Sequence, residues 1–124
     1  MKLRIYKDSV RLRLSQADIA QFAATGSVRD VIDFAPGAHF SYALESASFV
    51  DRVRASYSAG ALRILVPPQL ADQWSRSDEV AIRSNGDSPS LLIEKDFKCL
   101  HRETDQESDD ADAFPNPLAA DYAG

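Results

Sequence analysis

The chain predicts an α+β fold: a small strand-rich domain, arranged as a pseudo-two-fold barrel in which a strand-strand-helix-strand-strand unit (ββαββ) occurs twice, with an acidic C-terminal tail. Three observations predict it. Short segments alternate apolar and polar residues with the period of two that puts one strand face on a core. Two stretches at helical spacing each lie between such segments. Charge is also divided along the chain. All 14 basic residues lie at or before Arg102, so residues 1–102 carry 14 minus 12, or +2, and residues 103–124 carry −7, which sums to −5. Residues 1–102 read as one globular domain and 103–124 as its tail. At 44% hydrophobic residues, a domain of this size buries roughly two thirds of its unfolded surface.

The opening residues Met1-Lys2-Leu3-Arg4-Ile5-Tyr6 alternate charged and apolar side chains. Val10, Leu12 and Leu14 alternate with Arg11 and Arg13, which predicts a half-buried strand. Ser15 with Asp18 forms a variant capping box, Ile19, Phe22 and Ala23 share a helix face, and Gly26 stands at a C-terminal cap, so a helix of about ten residues follows. Strands are predicted from Val28 to Phe34 and from Phe40 to Leu44, joined by a turn at Pro36-Gly37.

In the second half, Arg52 to Tyr57 and Leu62 to Val66 flank Ala59-Gly60 as a hairpin. Pro67-Pro68 opens a helix with Leu70, Ala71 and Trp74 as its apolar residues. Val80 and Ile82 alternate again, Asn85-Gly86 turns the chain, and Leu91 to Lys95 forms a last strand. Residues recur approximately between the halves: Leu12-Arg13-Leu14, Ile19-Ala20, Phe22 and Asp30-Val31-Ile32 against Leu62-Arg63-Ile64, Leu70-Ala71, Trp74 and Glu79-Val80-Ala81-Ile82. This is an internal repeat at an offset of roughly 50 residues.

Composition narrows the function. The alternating start lacks the unbroken apolar run of a secretory signal, and no stretch approaches about 18 apolar residues, so the expectation is a cytoplasmic protein without a membrane span. A single cysteine fits a reducing compartment. There is no Gly-x-Ser-x-Gly, no His-Glu-x-x-His and no glycine-rich phosphate loop, so the pattern favours binding over catalysis.

Three groups of residues are candidates for a site. Cys99 and His101, two apart, share a face of an extended segment, and zinc takes thiolate and imidazole ligands. Closed zinc sites draw four ligands mostly from Cys and His, and this chain has one Cys and two His, so a small apolar Cys99 and a polar His101 are the favoured reading. Arg4, Arg11, Arg13 and Arg63 alternate with apolar strand residues; gathered on one face they would contact an anionic ligand, and separately they guard strand edges. In the tail, Phe114, Pro115, Asn116, Pro117, Leu118 and Tyr122 end an acidic run with an amphipathic segment. Asn116 suits a helix cap, Pro117 its first position, and Leu118 and Tyr122 fall on one face, so 114–122 is a partner-docking candidate.

Two resemblances add to this reading. From Gly60 to Arg83, a strand, a proline-led helix and Ser77-Asp78-Glu79-Val80-Ala81-Ile82 resemble the unit of swapped-hairpin transcription regulators of the AbrB type, with Ser77 where that family prefers glycine. The resemblance implies a small barrel in which two units of one chain replace a dimer, and DNA binding does not follow from it. Across nearly the whole chain, Met1-Lys2-Leu3-Arg4-Ile5 with Ser9 to Leu14, Tyr42-Ala43-Leu44-Glu45, and Glu94 to His101 followed by Asp112 to Pro117 are similar to a family of short bacterial proteins of unknown function. That likeness brings no activity, cofactor or catalytic residue. The expectation is a non-enzymatic binding or regulatory module acting through a protein partner. The alternatives are a nucleic-acid-binding barrel gated by its acidic tail and a metal-dependent activity at Cys99 and His101.

Overall fold

A computed structural model describes residues 1–97 and 113–115. Eight strands and two helices follow in the order β1 (Lys2–Tyr6), β2 (Ser9–Leu14), α1 (Gln16–Thr25), β3 (Ser27–Ala35), β4 (Ala38–Ser46), β5 (Arg54–Ser58), β6 (Ala61–Val66), α2 (Pro68–Ser75), β7 (Ala81–Arg83) and β8 (Ser90–Lys95). The α+β class and the doubled ββαββ order are both present.

The strands form two four-stranded sheets, β1-β2-β8-β7 and β3-β4-β6-β5. Each half gives one hairpin to each sheet, and each helix carries the chain across. The central pairs, β2 with β8 and β4 with β6, run parallel, and the outer pairs run antiparallel. The topology is thus pseudo-symmetric, and the registers fix which residues correspond. Val10 faces Leu91 as Leu62 faces Tyr42, so Arg11 corresponds to Arg63 and Leu12 to Ile64. The sequence repeat matched Arg13 to Arg63, two residues away. A shift of two preserves every inward and outward side chain, so alternation alone does not detect it. Val28 likewise corresponds to Ile82, since they face Leu44 and Ile93 in turn.

The core lies between the inner faces of the sheets and is closed by the helices. Leu12, Leu14, Leu44, Ile64, Val66 and Ile93 are fully buried. Phe22 of α1 meets Trp74 of α2 edge-on, with ring centroids 6.2 Å apart, at corresponding places in the two halves. Trp74 is 0% exposed, and burying its roughly 200 Å² at about 25 cal/mol per Å² contributes about 5 kcal/mol before entropy is charged. Its indole Nε1 donates to the Val80 carbonyl at 3.3 Å, so the one polar atom brought inside keeps a partner.

Both helices are stopped and started by local chemistry. Ser15 Oγ accepts from the Asp18 amide and Asp18 Oδ2 accepts from the Ser15 amide, the reciprocal cap expected from sequence. Gly26 ends α1 at φ 80°, its amide donating to Phe22 O. α2 has Pro68 in its first turn and no side-chain cap.

Candidate functional site: an arginine row on the first sheet

Period two puts Leu12 and Leu14 into the core, and it puts Arg11 and Arg13 on the outer face of the β1-β2-β8-β7 sheet. Register then assembles a row. Arg4 lies opposite Arg11, Arg11 opposite Leu92, and Leu92 opposite Arg83. One step nearer the helices, Lys2, Arg13, Glu94 and Ala81 form the adjacent row. One step further away stand Tyr6, Ser9 and Ser90.

Like charges facing across strands repel. Here Glu94 relieves part of that repulsion: its Oε1 lies 2.8 Å from both Arg11 Nε and Arg13 Nε. The Arg11 Nε is buried and close to this oxygen without the alignment of a hydrogen bond, whereas Arg13 Nε donates to it. Lys2 Nζ donates to Asp96 Oδ2 at 3.2 Å. Arg83 is exposed and has no carboxylate partner among the described residues. Among the described residues this face carries five cations, Lys2, Arg4, Arg11, Arg13 and Arg83, and two acids, Glu94 and Asp96.

The row borders a groove of about 360 Å³ whose polar lining comes from Arg4, Tyr6, Ser9, Arg11, Arg83, Ser84 and Ser90. Ser9 Oγ is already committed to Tyr6 O, and Ser84 Oγ accepts from the Leu91 amide, so its hydroxyl proton is available to a ligand. Guanidinium groups spaced along adjacent strands, with hydroxyls beside them, suit carboxylates or phosphates.

The second sheet repeats part of this design. Arg29, Ala43, Arg63 and Ser56 form its matching row. Glu45, the counterpart of Glu94, takes two hydrogen bonds from Arg63, at 2.9 and 2.8 Å. The hydrogen bonds from Arg63 hold the Glu45 carboxyl below the usual carboxylate range, against the opposing effect of burial, with the Arg63 and Arg29 charges adding to them. Arg63 is correspondingly raised by Glu45. Ser56 and Leu65 stand where the first sheet has Arg4 and Arg13. The second face is therefore less basic, and Leu65 is buried beside the segment from Ser48 to Asp51.

Of the four arginines singled out from sequence, Arg4, Arg11 and Arg13 come together and Arg63 lies on the other sheet. Arg83, Tyr6 and Ser90 were missed. Arg83 shares the alternation of Ile82 and faces Leu92 across a local hairpin, but only the non-local pairing of β8 with β2 brings it into line with Arg11 and Arg4. Phe114 and Pro115 are exposed, Phe114 at 97%. Cys99, His101, Asn116, Pro117, Leu118 and Tyr122 lie outside the described residues, as does the acidic run 103–112. Among the described residues no group of three or more His, Cys, Asp or Glu is placed to hold a metal, and no helix is long and apolar enough to cross a membrane.

At the start of the chain, the Met1 ammonium lies 2.9 Å from Asp18 and 3.3 Å from Asp30. Burial alone would lower this ammonium's pKa, but hydrogen bonds and charge from Asp18 and then Asp30 outweigh it and raise the pKa. Burial pushes Asp18 upward, and the Met1 ammonium with the Ser15 amide and hydroxyl more than offsets that, leaving it lowered. These contacts pin the start of β1, which supplies Lys2 and Arg4.

No curated protein and no solved structure matches the chain. The model of a family of unknown function (DUF7009) matches residues 1–118. With the match running through both sheets and both helices, the chain belongs to that family.

Proposed function

We propose that this protein is a cytoplasmic binding module that acts through a protein partner, and that the partner lays an acidic segment along the arginine row of the first sheet. The observation that carries this reading is the row itself: Arg4, Arg11 and Arg83 aligned across strands beside a polar groove, on a face where cations outnumber acids among the described residues. An extended acidic peptide laid across the strands brings carboxylates to the guanidinium forks. Phe114, wholly exposed, is the tail's apolar contribution to the same partnership, with the rest of 114–122.

Nucleic acid is the second reading, favoured by the same arginines and the stacking surface of Tyr6, which is 58% exposed. It is the lesser one because Glu94 and Asp96 already take up part of the basic charge, and the whole chain carries −5. Fluorescence anisotropy of the full chain with a labelled glutamate-rich peptide and with labelled DNA and RNA, over a salt series, separates the two. The expected result is peptide binding that weakens about tenfold in Arg83→Glu, a rim charge in the groove. Steeply salt-dependent oligonucleotide binding with no peptide binding would replace the first reading by the second. No binding to either probe, or indifference to Arg83→Glu, would remove the arginine row as the site.

A further inference from the structure

Four strands form the edges of the two sheets, and three of them are guarded. β1 carries Lys2 and Arg4, β5 has five residues with Arg54 and no acid, and β7 has three residues. Like charge and short length are the usual defences of an exposed edge. β3 has neither. It is nine residues long, pairs only with β4 among the described strands, and exposes Val31, Ile32 and Phe34 by 46%, 46% and 71%.

Its charges are also arranged to match themselves. In Arg29-Asp30-Val31-Ile32-Asp33, the outer-face residues are Arg29, Val31 and Asp33, since Val28 is buried in the core. Set a second copy antiparallel, centred on Val31, and Arg29 of each copy faces Asp33 of the other while Val31 faces Val31. Shifting the register by two residues toward either end breaks both ion pairs. The irregularity between Asp33 and Ala35 bends the strand beyond this segment, which limits pairing to five residues in each copy.

We infer that β3 is a homodimerisation edge, joining two copies through Arg29–Asp33 into a continuous eight-stranded sheet. The inference goes beyond the partner reading and stands apart from it, because β3 lies in the second sheet and the arginine row in the first. Five-residue pairing makes a small interface, so the dimer is weak and concentration-dependent.

Sedimentation equilibrium of the full chain between about 5 and about 200 µM spans that range. The wild type is expected to dimerise. Arg29→Asp and Asp33→Arg each place like charges opposite one another and should weaken association at least tenfold, a loss of about 1.4 kcal/mol. The double swap restores both ion pairs and should recover the dimer, and an equimolar mixture of the two single variants should form a heterodimer. Both positions are exposed, so the variants should fold as the wild type does. A wild type that stays monomeric across the range, single variants that associate as the wild type does, or a double variant that fails to recover would each overturn the inference. Peptide anisotropy on the same variants keeps the two proposals distinct: loss of dimer with peptide binding intact removes the edge alone.

Discussion

Glu45 and Arg63 show how far a single pair can be trusted as a source of stability. The carboxyl sits below its ordinary range mainly because Arg63 donates two hydrogen bonds to it, yet the Arg63 side chain is 41% exposed and solvent screens the pair. Glu45→Gln should therefore cost only about 0.5–1 kcal/mol at neutral pH, measured by denaturant melts. The pH dependence has a definite sign. Glu45 and Asp18 both have lowered pKa values when folded, so their contributions are present above the ordinary carboxylate range and are lost as pH falls through the lowered values. The Met1 ammonium is raised, so its contribution is full below its unfolded value and disappears as pH rises through the folded one. Melts across pH should show acid loss of stability that is shallower in Glu45→Gln. Trp74 belongs to another energy scale: Trp74→Ala removes the partner of Phe22 and should cost about 3–5 kcal/mol in the same melts. Alternation in the sequence marked Arg4, Arg11 and Arg13 as outward-facing, and the structure adds Glu94 as the carboxylate shared by Arg11 and Arg13. That role was hidden because β2 and β8 are some 80 residues apart, as the separation of 81 between Arg13 and Glu94 shows.

Elements were legible wherever local chemistry decides them. The Ser15 cap, the Gly26 stop, the Pro67-Pro68 start and the strand alternation all appear where the residues place them, because each depends on neighbours within four positions. The β5-β6 hairpin was also readable, but its turn holds a residue that sequence alone gives no reason to question. Ala59 adopts φ 51° and Gly60 φ 75°. Both central positions are left-handed, and only one is glycine. A Cβ at Gly60 would meet the His39 carbonyl oxygen at 2.8 Å, so Gly60→Ala should destabilise by about 2 kcal/mol, with strain and contact acting together. Ala59→Gly should do the reverse, raising stability by about 1 kcal/mol as the left-handed penalty is relieved. Melting the two variants beside the wild type checks both signs. If Gly60→Ala proved neutral, the close approach of β4 to this turn would be wrong.

For the molecule as a whole, the duplication explains more than any single contact. Two ββαββ units exchange hairpins, so each sheet is half from each unit, and the Phe22–Trp74 contact joins the helices that carry the chain across. The repeat was visible in the sequence, but its alignment slipped by two residues at Arg13 and by four at Ile32, displacements that leave inward and outward faces unchanged. The parallel strand partners were not visible, since pairing of β2 with β8 and of β4 with β6 is set by packing of the whole domain. Departures from symmetry then single out the site. Arg4 and Arg13 enrich one face, while their counterparts Ser56 and Leu65 leave the other less basic and partly covered. That asymmetry is the basis for proposing that the first sheet engages an acidic partner. The most direct test is a titration of the isotope-labelled full chain with an unlabelled hexaglutamate peptide, following backbone amide and arginine Nε resonances. The account predicts saturable shifts concentrated at Arg4, Arg11, Leu92 and Arg83, reduced in Arg83→Glu. Shifts centred on Arg29 and Arg63, or no saturable shifts at all, would contradict it.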